Sequence, residues 1–269
     1  MMSDVCLMID IVDSKEYDIS LRTMIQKYMI HFMRKCNQLF QSQLKYELVC
    51  SAGDEIQGVF TTLKDAWMCY RLLEALLFPV KIRGGIGVGE VNIVMPDEGS
   101  TYQDGPAYHY AREAIDHAHH SKLCQLCILP KKDVMVEVLC NHSYVLKKEH
   151  HLLQNLTYAC IECMYPFVDS LDDFNTIVYQ ELLSLKFNYY DEWKKEKNHF
   201  ISKVIQPLII DENDYQQEKS IMIKNMSLTL SQVLNCSRQN ADKLIKRSHL
   251  YQIRLMDYST LQYLKKGEL

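Results

Sequence analysis

The sequence predicts an α+β protein: a sandwich of βαββαβαβ type, followed by a helical C-terminal part. Three observations carry this reading. Short apolar runs of strand length alternate with longer amphipathic runs over residues 4–130, which suits an α/β sandwich with helices on one sheet face. From about residue 131 the spacing turns helical. Charge is also uneven along a chain whose formal net charge is −4: nine Lys and Arg stand against two Asp between Lys219 and Lys266, so that segment carries +7 and the remainder −11. A basic tail on an acidic body points to two parts with different partners, or to a solvated basic surface.

"DVCLMIDIV" (4–12) reads as a buried strand, short, apolar and bounded by polar residues. Residues 19–43 read as an amphipathic helix, with Leu21, Met24, Ile25, Tyr28, Met29 and Phe32 at helical spacing. "KYELVCSAGDEIQGVF" (45–60) reads as a hairpin around the turn Ala52-Gly53-Asp54. A second helix covers 63–78, and the stretch 80–94 is β-rich with four glycines. A third helix covers 105–121, with Pro106 in its first turn, where proline is tolerated. "LCQLCILP" (123–130) is a further strand. Residues 174–208 suggest one or two helices, and 209–217 a linker.

The 269 residues carry 48% apolar side chains, ordinary for a folded chain. No apolar run reaches the ~18 residues needed to cross a membrane, and the start lacks the basic flank and cleavage site of a signal peptide. A cytoplasmic protein is expected, with its ten cysteines reduced.

Two acidic turns carry the candidate chemistry. "MIDIVDSKEY" (8–17) delivers Asp10 and Asp13 to the end of the first strand, and "AGDEIQGVF" (52–60) places Asp54 and Glu55 at the hairpin. Carboxylates there must be solvated, paired or bound to a cation. Mg²⁺ is commonly held by one or two carboxylates plus substrate phosphates, so Asp10 and Asp54 suit a metal site if the first strand pairs with the hairpin. Asp13 and Glu55 stand in reserve, and the turn after the first strand offers backbone N–H groups to phosphate oxygens.

"MIDIVDSKEY", "GDEIQGVF", "RGGIGVGEV" and "DGPAYHYAREAI", in that order over residues 3–130, together resemble the catalytic domain of class III nucleotidyl cyclases. That superfamily shares a ferredoxin-like palm fold with diguanylate cyclases and CRISPR-associated polymerases. Asp10 and Asp54 fall on its two metal-binding aspartates, and their 44-residue separation fits. The resemblance implies a nucleoside triphosphate (ATP or GTP), Mg²⁺ or Mn²⁺ held by Asp10, Ile11 and Asp54, and an active site shared across a homodimer. It places substrate against Ile11, Val12, Asp13, Ser14, Gly53, Glu55, Asp104 and His109, and it leaves Arg112 as the catalytic cation. The family carries Asn and, four residues later, Arg on the helix after the fourth motif; aligned on Gly105, this chain has His109 and Glu113 there, with Arg112 one residue off. The family's adenine-selecting lysine has no match in "LVCSAGD". A different product such as a cyclic or linked dinucleotide, slow cyclisation, and nucleotide binding without turnover all fit these departures.

"SLTLSQVLNCSRQNADKLIKRSHL" (227–250) has the form of a helix-turn-helix: a first helix over 229–234, a turn at Asn235-Cys236, and a second helix capped by Ser237. Leu230, Val233, Leu234, Ala241, Leu244 and Ile245 would form its core. Arg238, Gln239 and Asn240 suit base edges in a major groove, while Lys243, Lys246 and Arg247 suit phosphates. A helical hairpin used for packing or dimerisation has the same pattern. A cyclase-like front joined to such a tail resembles the bacterial SatD family more closely than a classical cyclase. The expected division is a palm domain over 1–135, a helical connector over 136–208 and a helix-turn-helix domain over 209–269.

Cys124-x₂-Cys127 and Cys160-x₂-Cys163 have zinc-knuckle spacing but lie in buried-looking runs without a knuckle's glycine turn, so they also read as small buried hydrophobes. His117, His119 and His120 sit at one helix end, and His150 and His151 form a separate pair; both groups read as polar surface. Two function classes result: a metal-dependent nucleotidyltransferase making a signalling nucleotide, or a nucleotide-sensing regulator that binds DNA through its tail. A non-catalytic dimeric scaffold is a third.

Overall fold

The computed structural model describes residues 3–51, 53–95, 98–122, 124–131, 133–195 and 205–266. The chain divides into two compact units, residues 1–141 and 142–268. Among the described residues no helix is long and apolar enough to cross a membrane.

The first unit contains β1 (Asp4–Ile11), α1 (Ile19–Leu39), β2 (Leu44–Cys50), β3 (Glu55–Phe60), α2 (Leu63–Leu77), β4 (Ile82–Gly89), α3 (Pro106–His120), β5 (Leu126–Leu129) and α4 (Val134–Asn141). The βαββαβαβ order matches the sequence reading. Local chemistry sets the helix starts: Asp18 accepts the Leu21 N–H at the head of α1, Thr62 accepts the Asp65 N–H at α2, and Pro106 opens α3. α1 stops earlier than its apolar spacing suggests, because the Gln43 and Leu44 amides turn back onto the Phe40 carbonyl.

The five strands pair in the order β2-β3-β1-β4-β5, antiparallel except for the β4–β5 pair. The first strand therefore lies at the centre, with the hairpin on one side and the glycine-rich strand on the other. The pairing of β2 with β3 shifts register twice, between Leu44 and Tyr46 and again between Tyr46 and Val49.

Helices cover both faces of this sheet, which corrects the expectation of helices on one face. On one face Phe40 at the end of α1 meets the Phe60 ring edge-on at 5.9 Å, and a Cβ on Gly84 would strike Tyr70 of α2. On the other face a Cβ on Gly85 would run into the backbone of Ala111 and Ile115, and one on Gly87 into that of Ala107 and Ala111. Successive strand residues face opposite sides, so Gly85 and Gly87 belong to the α3 face and Gly84 to the α2 face. Cys6, Met8 and Val59 pack with Ala107, Tyr108, Ala111 and Ile115 in this second layer.

The second unit holds α5 (Tyr144–Lys148), α6 (Leu152–Met164), β6 (Phe167–Val168), α7 (Thr176–Lys194), β7 (Leu208–Ile209), α8 (Gln217–Ile221), α9 (Met226–Val233), α10 (Arg238–Arg247) and α11 (Leu250–Lys266). Its centre is polar as well as apolar. Arg254 is fully buried; it pairs with Glu162, donates to the Tyr165 carbonyl at 2.6 Å and lies 4.3 Å from the Phe167 ring centre. The stretch 209–217 is not a free linker. Ile209 belongs to a strand paired with β6, Ile210 is buried, and the Asp211 N–H donates to the Tyr258 hydroxyl of α11 at 3.1 Å.

α9 runs over Met226–Val233, about three residues earlier than the sequence suggests, and α10 follows a four-residue turn capped by the Ser237 hydroxyl on the Asn240 N–H. Leu230, Val233, Ala241 and Ile245 are buried, whereas Leu234 and Leu244 are half-buried.

Gly87→Ala should lower stability by about 1–3 kcal/mol, the usual range for overpacking, because all three atoms nearest its methyl would be α3 backbone. Urea unfolding followed by far-UV circular dichroism measures it; an unchanged midpoint would refute the close approach of α3 to β4.

Candidate functional site

The antiparallel register seats Asp10 between Glu55 of β3 and Arg83 of β4. The three side chains share the α3 face, two residues on from Met8, Gln57 and Gly85 respectively. The Arg83 Nε donates to Asp10 Oδ2 at 3.0 Å. Asp54 precedes Glu55 in the hairpin turn, next to Gly53 at φ +80°, a conformation that favours glycine. The Ser14 hydroxyl, from the turn after β1, donates to Asp54 Oδ2 at 2.5 Å. The two acidic turns are thus tied together directly.

Glu55 takes a different partner. Arg112, reaching down from α3, grips it with a two-pronged contact, the Nη2–Oε1 bond being 2.8 Å, and the Ser51 hydroxyl adds a bond at 2.6 Å. Arg112 itself remains about half-exposed, at 49%. Three carboxylates and two guanidinium groups therefore meet at one end of the three central strands.

Burial, the strongest influence on Asp10, pushes its carboxyl up; the Arg83 bond and charge pull it down, and the neighbouring charges of Asp54 and Glu55 raise it again, leaving it above its ordinary value. Burial also pushes Glu55 up, but the hydrogen bonds from Arg112 and Ser51 and the Arg112 charge prevail, and its carboxyl lies below the ordinary value. Glu55 is thus satisfied by Arg112 and Ser51, whereas at Asp10 burial and the neighbouring acids outweigh the Arg83 pair.

The rest of the predicted set divides. Ile11 ends β1 and is buried, and the Val12 N–H donates to the Lys81 carbonyl at 2.9 Å, which commits that amide to the sheet side of the turn. Asp13 is exposed in a left-handed conformation (φ 54°) beside Ser14. Asp104 and His109 stand elsewhere, at the start of α3. Asp104 Oδ1 accepts the Gly105 N–H at 2.8 Å and lies 3.4 Å from His109 Nε2. Pro106 lies against Gly89, at the far end of β4 from Arg83. Six strand residues separate the two ends, about 20 Å. So Asp10, Asp54, Ser14, Glu55 and Arg112 are brought together, and Asp104 and His109 are not. Arg83 is the residue that sequence reasoning missed. Its signal was the pairing of the glycine-rich strand with β1, which sets it opposite Asp10.

All ten cysteines are free. Cys127 packs with Ala114, Ala118 and Leu129, while Cys160 and Cys163 are buried on α6. Among the described residues no group of three or more His, Cys, Asp or Glu is placed to hold a metal ion. In the second unit Arg238, Gln239, Asn240, Lys243, Lys246 and Arg247 are all exposed on α10.

The sequence profile of the SatD family matches residues 4–137. Among solved structures, a bacterial light-regulated adenylyl cyclase is similar at 16% identity and a TM-score of 0.34, over 47% of this chain and 75% of that one. A second structure with the same description has 13% identity and the same TM-score, over 47% of this chain and 42% of its own. No curated protein sequence matches the chain.

Asp10→Asn should raise the melting temperature slightly in metal-free buffer at neutral pH, by no more than a few degrees. A carboxyl whose folded value is raised weakens the fold once pH rises through that value, and the amide removes the charge. The gain should fade as pH falls far enough to protonate the wild-type Asp10. Differential scanning fluorimetry across pH checks this; a lower melting temperature at every pH would mean that the Arg83 pair outweighs burial and repulsion.

Proposed function

We propose that the first unit is a palm-type domain that binds a nucleoside triphosphate with Mg²⁺ or Mn²⁺ and transfers its nucleotidyl group to form a signalling nucleotide. The observation that carries this reading is the meeting of Asp10 and Asp54 at one sheet end, tied through Ser14 and flanked by Arg83. The strand order β2-β3-β1-β4 with α1 and α2 on one face supports the ferredoxin-like assignment. Asp10 and Asp54, with the Ile11 carbonyl, would hold the cation, which supplies charge neutralisation for the phosphates and activation of the attacking hydroxyl. Asp13, Ser14 and Gly53 line the same turns and would contact the triphosphate. Arg112 would act on charge developing at the phosphate, with Glu55 holding its guanidinium. Asp104 and His109 are too far from Asp10 of the same chain to share its substrate, so in this reading they serve the site of a second copy, and the active unit is a homodimer.

The test is incubation of the full chain with each nucleoside triphosphate and Mn²⁺, followed by mass spectrometry of the products. Asp10→Ala and Asp54→Ala should each remove metal-dependent turnover while leaving the chain folded, and sedimentation of the wild type should show a dimer. Full activity in either variant would overturn the two-carboxylate assignment.

A second reading rests on a separate observation: six polar and basic side chains lie exposed along one short helix behind a capped turn. In it, α9 and α10 form a helix-turn-helix that binds duplex DNA, and the first unit senses nucleotide without turning it over, as His109 and Glu113 in place of an Asn–Arg pair would allow. Lys246→Ala and Arg247→Ala should weaken binding to every sequence and flatten its salt dependence, whereas Arg238→Ala and Asn240→Ala should relax preference at particular bases. Absence of duplex binding at low salt, read by fluorescence anisotropy, would end this reading.

A further inference from the structure

The site proposed above draws on two copies of the chain, so its cation comes from one copy or the other. Asp104 and His109 stand at the start of α3, where Pro106 lies against Gly89 at the far end of β4 from Arg83. Arg112 is on the same helix, but its side chain comes back to the Asp10 end of the sheet. It grips Glu55 in two prongs, the Nη2–Oε1 bond being 2.8 Å. Glu55 is directly opposite Asp10 across the β1–β3 pair, and side chains so opposed have Cβ atoms about 4.5–5.5 Å apart. The charges of Glu55 and the adjoining Asp54 both act on Asp10. The Arg112 guanidinium is therefore held beside the two aspartates of its own chain.

Leaving that position is costly. The Glu55 side chain is only 12% exposed, so a turn of Arg112 toward another subunit would strand a largely buried carboxylate without its cation. The Ser51 hydroxyl, just after β2, donates to Glu55 Oε1 at 2.6 Å. Arg112 Nη2 donates to the same oxygen, so Ser51 fixes the acceptor that fixes the arginine. Arg112 itself stays about half-exposed, and a two-pronged grip leaves further N–H donors of its fork for phosphate oxygens.

We propose that Arg112 acts in cis: with Ser51 and Glu55 as its positioning residues, it serves the phosphate at the Asp10–Asp54 site of its own subunit, while Asp104 and His109 serve the site of the second copy. The inference rests on the nucleotidyl-transfer reading and divides that site between the two chains.

The experiment co-expresses variants of the full chain in pairs and measures metal-dependent turnover of nucleoside triphosphate. Each variant alone should be inactive. Arg112→Gln paired with the double variant Asp104→Asn, His109→Ala should recover about a quarter of wild-type turnover, because about half of the dimers are mixed and each mixed dimer holds one intact site of two. Asp10→Ala paired with Arg112→Gln should recover nothing, since no site then has both its aspartate and its arginine. Recovery in this second pair, or none in the first, would overturn the inference. Wild type without turnover would instead remove the nucleotidyl-transfer reading, and the inference with it. A second readout needs neither metal nor nucleotide. The Arg112 guanidinium N–H signal in nuclear magnetic resonance, assigned by its loss in Arg112→Gln, should be protected from exchange in the wild type, weaker in Ser51→Ala and lost in Glu55→Gln. Its persistence in Glu55→Gln would overturn the positioning role.

Discussion

The missing side chains at Gly85 and Gly87 let α3 lie directly on β4, and much else in the first unit depends on that contact. With any larger residue at those positions the Ala107 and Ala111 backbone would be pushed off the sheet. The glycines and the alanines of α3 are complementary halves of one close fit, in which small residues gain dispersion contacts that bulkier ones would lose to strain. The fit sets the height of α3 above the sheet, and so decides that the Arg112 guanidinium comes down onto Glu55 rather than into open solvent.

From that placement follows an uneven treatment of neighbouring carboxylates. Glu55 is satisfied by Arg112 and Ser51, whereas among the described residues Asp10 has Arg83 as its cation and faces two further acids. Geometry supplies the distinction, since Glu55 and Asp10 are cross-strand neighbours with their side chains on the same face. An arginine held in two prongs by a half-buried carboxylate is pre-oriented, with part of its side-chain entropy already lost.

Much of this was legible in the sequence. The order of strands and helices followed from apolar runs and their periods and the hairpin from its turn residues, whereas the pairing of β1 with that hairpin, which sets the two acidic turns side by side, stood only as a condition until the register was known. The face on which α3 packs was harder. Its own apolar stripe, Ala107, Ala111, Ala114 and Ile115, fixes which side of the helix is buried but not which side of the sheet receives it. The evidence lay in β4, where glycines recur at 85, 87 and 89: period two is one face of a strand, and three bare positions on one face mark a helix in close contact. Arg83 and the Arg112–Glu55 pair escaped for another reason. They depend on register and on helix height, which no local pattern encodes. In the second unit the buried Arg254 with its Glu162 partner was likewise invisible, because a lone arginine in an amphipathic run looks like surface until its neighbours are known.

The double register shift in β2 has a bearing on how the protein meets others of its kind. β2 is one rim of the sheet, and β5, four residues long, is the other. A straight rim exposes a ladder of unused amides and carbonyls that recruits any extended chain, and kinked or very short rims deny it that template. The sheet therefore ends at five strands by construction, with little tendency to grow sideways into fibrils.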